Sequence, residues 1–108
     1  MKLVIAIVQD QDAHTLIQDA TKEKFRVTKL STSGGFLKSG NATLLFGVEE
    51  ERLQELLDII EHNGKSREVS TSLMTVVAPG GSYIPCPVQV QVGGATVFVL
   101  DVEQFHRF

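Results

Sequence analysis

Arg26 and Thr28 stand two residues apart in a run that alternates polar with apolar side chains, Phe25 to Leu30, so an extended backbone puts both on one face. A stretch rich in small residues follows at once: Ser31-Thr32-Ser33-Gly34-Gly35-Phe36-Leu37-Lys38-Ser39-Gly40-Asn41. The Arg26 guanidinium offers a rigid fork of donors suited to phosphate. Thr28 and Asn41 supply donors and acceptors that can read a base edge, and Phe36 supplies a ring on which a base can stack. Together these residue types describe a nucleotide pocket. The residues alone leave a second reading equally open, with Arg26 a solvated strand residue and Phe36 folded back as an apolar plug.

Other chemistries fail on spacing. Gly35 to Ala42 copies the two glycine positions of a phosphate-binding P-loop, but Asn41 and Ala42 occupy the places that need Lys and Ser or Thr. That stretch also leads toward a strand, so no helix dipole faces a phosphate. His14, His62 and His106 lack metal-ligand spacing, and Cys86 stands between Pro85 and Pro87 with neither a neighbouring base nor a second thiol. Glu49-Glu50-Glu51 open a helical pattern, where negative charge favours the helix dipole over acid–base catalysis. The expectation is a binding protein with no catalytic residues, no metal site and no cofactor.

The elements that must position the pocket are legible in the periodicity. Leu3 to Val8 is apolar on both faces, as in a strand at the middle of a sheet. Asp10 and Asp12 are candidate caps for a helix whose apolar positions Ala13, Leu16, Ile17 and Ala20 recur at helical spacing, with Lys22 and Lys24 near its end. Phe25 to Leu30 forms the second strand, Ser31 to Asn41 a loop, and Ala42 to Val48 the third strand. A second helix follows the glutamates, carries Leu53, Leu56, Leu57 and Ile60 toward the core, and ends at Gly64. Arg67 to Val77 is strand-like, and Pro79 to Pro87, with three prolines, reads as a loop or an irregular edge. Val88 to Val92 alternates strictly, and Gly93-Gly94 reads as a two-residue hairpin turn into Ala95 to Leu100. Asp101 to Phe105 is expected to begin a short closing helix. The class is α+β: one domain over residues 1–108, a ferredoxin-like βαββαβ sandwich with an extra β-hairpin.

Composition bounds the rest. A chain of 108 residues with 43% hydrophobic and 21% charged residues is expected to fold around one core. Its net charge of -3 opposes non-specific attraction to nucleic acid or anionic lipid, so any anionic ligand needs a local site. The apolar run near the start is too short for a secretory or membrane-spanning segment, and one cysteine cannot make an internal disulfide; the expected compartment is the reducing cytosol.

Three segments acting together resemble a known family: Val8 to Asp12, then Phe25-Arg26-Val27-Thr28-Lys29-Leu30 running through Gly34 to Asn41, then Tyr83 to Phe105 with Val92-Gly93-Gly94-Ala95-Thr96-Val97-Phe98-Val99. Nearly the whole chain is similar to the PII-like cyclic di-AMP receptors of Gram-positive bacteria. That resemblance implies a PII-like homotrimer with one cyclic di-AMP in each intersubunit cleft, signalling to an effector protein without enzymatic activity. Carried over by position, it implies ligand contacts from Arg26, Thr28, Gly35, Phe36, Leu37, Asn41, Gly47 and Phe98. It also implies that Ser31 to Asn41 and about Ser66 to Pro87 are the mobile, signal-bearing parts. This chain departs from the family pattern at Ser31, Ser33, Ala42 and Cys86, and at Arg107, where Gln is usual. Two alternatives stay open at this point: a PII-type regulator of ATP or another mononucleotide, and a trimeric scaffold with a vestigial pocket.

Overall fold

Every second residue of the first strand is buried. In β1 (Lys2–Gln9), Val4, Ala6 and Val8 are sealed from solvent while Leu3, Ile5 and Ile7 stay half-exposed on the opposite face. The computed structural model describes residues 1–30, 40–77 and 83–108. The elements follow as α1 (Asp10–Lys22), β2 (Val27–Leu30), β3 (Asn41–Val48), a single 3-10 turn at Glu50–Arg52, α2 (Leu53–Gly64), β4 (Arg67–Val77), β5 (Tyr83–Val92) and β6 (Ala95–Asp101).

The main sheet has the order β2-β3-β1-β6 with every described pairing antiparallel. Each helix therefore crosses one intervening strand between parallel neighbours, which is the ferredoxin-like α+β arrangement. Both helices cover the face bearing Val4, Ala6, Val8, Leu44 and Phe46. Leu16 and Ala20 of α1, and Leu56 and Ile60 of α2, complete that core. No helix or strand among the described residues covers the other face of the sheet. Its upward residues alternate with the core residues because the side-chain period of a strand is two. Thus β1 is central, as its sequence predicts, but only one of its apolar faces is buried within the chain.

Local chemistry sets the joints. α1 stops where Lys24 takes a left-handed φ of 66°, which returns the Phe25 N–H to the Ala20 carbonyl at 2.9 Å and turns the chain into β2. Arg52 then pins the second half to the first: its guanidinium lies 4.0 Å from the centre of the Phe25 ring and donates to the Glu23 carbonyl at 2.7 Å. At the end of α2, Gly64 allows close packing, since a Cβ there would lie 3.2 Å from Ala95 Cβ and 3.3 Å from Val8 Cγ1.

Three expectations are corrected. Asp10 and Asp12 lie in the first turn of α1 but make no side-chain cap, and Gln9 holds the capping position. The run Val88 to Val92 is not hairpin-paired with the run Ala95 to Leu100: β5 pairs with β4 as a separate two-stranded sheet, and β6 pairs with β1. Gly93 and Gly94 do adopt positive φ, 83° and 108°, yet their N–H groups bond Gln9 Oε1 at 2.9 Å and the Gly64 carbonyl at 2.7 Å, so the donors serve the core rather than a hairpin. Partner choice was decided by burial, because Ala95 and Val97 pack on the core and draw β6 into the main sheet. The proline-rich run, read as a loop or an irregular edge, is the latter from Tyr83 onward: among the described strands β5 pairs only with β4, and the register shift between Thr71 and Met74 lies opposite Pro87. Finally, the expected closing helix at Asp101 to Phe105 does not form: Asp101 still pairs with Lys2, and five residues are too few to nucleate a helix unaided.

Candidate ligand site

Register builds the site on the open face. Thr28 lies opposite Leu45, and Gly47 lies opposite Leu3, so Thr28, Leu45, Gly47 and Leu3 share one side of three adjacent strands. Arg26, two residues before Thr28, joins the same side just ahead of β2. These residues line a cavity of about 530 Å³ whose remaining walls are Met1, Phe46, Val102, Phe105 and Arg107. A volume of that size suits a small molecule or part of a larger one.

The electrostatics of the cavity oppose those of the chain. Arg26 and Arg107 are the charged side chains among its described lining residues, with no carboxylate. A net charge of -3 therefore coexists with a local cationic hollow. Gly47 contributes by what it lacks: a Cβ there would meet nothing within 4 Å, so backbone is open to a ligand at the floor. At the same end of the sheet, the Lys2 ammonium donates to Asp101 and ties β1 to β6. The hydrogen bond from Lys2 holds the Asp101 carboxyl below its ordinary value, and the same bond holds the Lys2 ammonium above its own.

The residues singled out from the sequence fall in three places. Arg26, Thr28 and Gly47 come together in the cavity just described. Asn41 begins β3 and lines a second hollow of about 400 Å³ with Gln9, Asp10, Gln11 and Gly40; six residues of strand separate it from Gly47, roughly 20 Å. Phe98 projects from β6 on the open face, opposite Ile5, and is 52% exposed. It lies three strand spacings from β2, about 14 Å. Gly35, Phe36 and Leu37 lie outside the described residues. Sequence reasoning passed over the apolar wall of Leu3, Leu45, Val102 and Phe105. The alternation of β1 and β3 signals the first two, whereas nothing periodic marks the tail after β6. Arg107 was visible only as added charge. Among the described residues no cluster of His, Cys, Asp and Glu has metal-binding geometry, and no described helix is long and apolar enough to cross a membrane.

The chain is thus α+β of ferredoxin-like order, with two helices on one face of the sheet and a cationic hollow on the other. The chain belongs to the cyclic-di-AMP receptor family, whose model matches residues 1–108. A solved structure described as that of a functionally unknown protein from Pediococcus pentosaceus ATCC 25745 is similar throughout: the two are 50% identical with a TM-score of 0.77, over 99% of this chain and 96% of that one.

Proposed function

We propose that this protein binds cyclic di-AMP without turning it over and relays occupancy to a protein partner by a change of loop conformation. The observation that carries this reading is the meeting of Arg26, Thr28 and Gly47 in one cationic cavity of a chain from this family. Arg26 pairs with a phosphate, Thr28 hydrogen-bonds the ligand, and Gly47 lets it approach the backbone. Asn41 reads a base edge, and Phe36, Leu37, Gly35 and Phe98 close around the bases.

The cleft lies between subunits of a homotrimer. Asn41 and Phe98 stand too far from Arg26 within one chain to grip the same phosphate and its neighbouring base, so a second copy supplies them. The open sheet face supports that arrangement: Leu3, Ile5, Leu45, Phe98 and Leu100 share it, with Phe98 and Leu100 exposed. The protein acts in the cytosol as a single-domain transducer.

Calorimetric titration with cyclic di-AMP, cyclic di-GMP and ATP tests the ligand. Binding of cyclic di-AMP at one site per chain, with the ligand recovered intact, is the expected result. Tight binding of ATP in preference points instead to a mononucleotide regulator, and binding of none to a scaffold with a vestigial pocket.

A further inference from the structure

Three of the four residues Gln9–Asp12, at the end of β1 and the start of α1, hold parts of the chain that are distant in sequence. The Asp10 N–H donates to the Gly40 carbonyl at 2.7 Å, fixing the residue immediately before Asn41. The Gln9 side chain accepts from the Gly93 N–H at 2.9 Å, at the end of β5. Asp12, 4% exposed, accepts from Arg67 Nη2 at 2.8 Å, at the start of β4. Arg67 also donates to the Lys65 carbonyl at 3.1 Å, so both ends of the β4–β5 hairpin are gathered at one point.

Among the described residues, β4 and β5 pair with each other and with no strand of the main sheet. Between the hairpin root and the helices lies a cavity of about 600 Å³, whose lining includes Asp12, Thr15, Asn63, Arg67 and Val69. Packing does not fill that space, so polar contacts at the root set the hairpin's angle. One of them is visibly incomplete: Asp12 Oδ2 is buried with no hydrogen-bond partner among the described residues, leaving the carboxylate held by a single guanidinium. A buried group with half its bonds made is one whose geometry a small shift of α1 alters.

We propose that Gln9–Asp12 is a coupling junction, in which the Asp12–Arg67 ion pair acts as a positioning latch that carries ligand occupancy at Asn41 to the orientation of the β4–β5 hairpin. The inference rests on the receptor reading above and deepens it by naming the route. A ligand contact at Asn41 biases Gly40, Gly40 biases the first turn of α1 through Asp10, and Asp12 passes that bias to Arg67. Asp12 and Arg67 are not ligand contacts, so releasing the latch separates binding from response. Coupling is reciprocal, so the release changes ligand affinity by no more than the coupling factor, about 5–150-fold.

Amide hydrogen exchange on the full chain, with and without cyclic di-AMP, tests this. In the parent protein the ligand is expected to change exchange at Arg67 to Val69 and Val90 to Gly93 by about fivefold or more. In Arg67→Met that ligand-dependent difference disappears while cyclic di-AMP still binds. Asp12→Asn, which keeps the shape of the side chain and guards against misfolding, reduces the difference. A purely structural role would raise hairpin exchange equally with and without ligand and leave the difference intact, and that result overturns the latch. If the parent protein does not bind cyclic di-AMP, the receptor reading fails and the latch falls with it, whereas binding with the ligand-dependent difference intact in Arg67→Met overturns the latch alone.

Discussion

Gly47 separates stability from binding, because the two respond to its substitution with opposite signs. It lies within β3 at a φ outside the left-handed region, and a Cβ built there meets nothing within 4 Å. A side chain therefore costs the fold no clash. Glycine in a strand interior is less stable than alanine by about 0.5–1 kcal/mol, so Gly47→Ala is expected to raise the unfolding free energy by about that amount. The same open space is the cavity floor, where Gly47 lies beside Arg26 and Thr28. Gly47→Val puts three carbon atoms where the ligand approaches the backbone. Forcing such atoms into an occupied space costs about 1–3 kcal/mol, which is about 5–150-fold in affinity. Urea unfolding at matched protomer concentration reads the first effect, and calorimetry with cyclic di-AMP reads the second. A folded Gly47→Val protein that binds cyclic di-AMP as tightly as its parent refutes the placement of the site.

Further outcomes follow from the same geometry. Arg26→Ala removes a charge-assisted hydrogen bond of about 1.5–3 kcal/mol and is expected to weaken cyclic di-AMP by about tenfold or more; unchanged affinity in a folded variant returns Arg26 to the solvated surface. Gly93→Ala and Gly94→Ala share the strain of positive φ, about 1–2 kcal/mol. A Cβ at Gly93 would also fall 2.5 Å from the Lys65 carbonyl oxygen, whereas one at Gly94 meets nothing. Gly93→Ala is thus expected to destabilise by about 1–3 kcal/mol more than Gly94→Ala, and equal losses in urea unfolding contradict the close approach. Because Lys2 holds the folded Asp101 carboxyl below its ordinary value, that pair adds stability above the carboxylate range and loses it as pH falls through about 4 toward the lowered value. The stability difference between the parent and Asp101→Asn should be constant near neutrality and shrink on acidification, and a difference independent of pH removes the pair from the account. Light scattering is expected to give three chains per particle; a monomer at micromolar concentration excludes the intersubunit cleft.

Periodicity carried the helices, five of the six strands and the face shared by Arg26 and Thr28, because these depend on neighbours one to four residues away. The apolar spacing of Ala13, Leu16 and Ala20 can be satisfied only by a helix lying on a sheet, and all three are buried. The glycine pair at 93–94 announced its positive φ as plainly. What it could not announce was its destination. Alternation in Val88 to Val92 and in Ala95 to Leu100 suits pairing with any strand, and the choice fell to contacts far away in sequence: β1 for β6, β4 for β5. Gly47 meets Thr28 and Arg26 only through the β2–β3 register, and Arg107 joins them only because the tail after Asp101, which forms no helix, lines the same cavity. Asp12 reads locally as a helix cap and serves instead as the partner of Arg67, 55 residues on. Local pattern thus determined which segments are regular and which faces are apolar. Pairing, the cavity and the hairpin root were decided by tertiary packing, since burial and buried charge depend on residues that no local window contains.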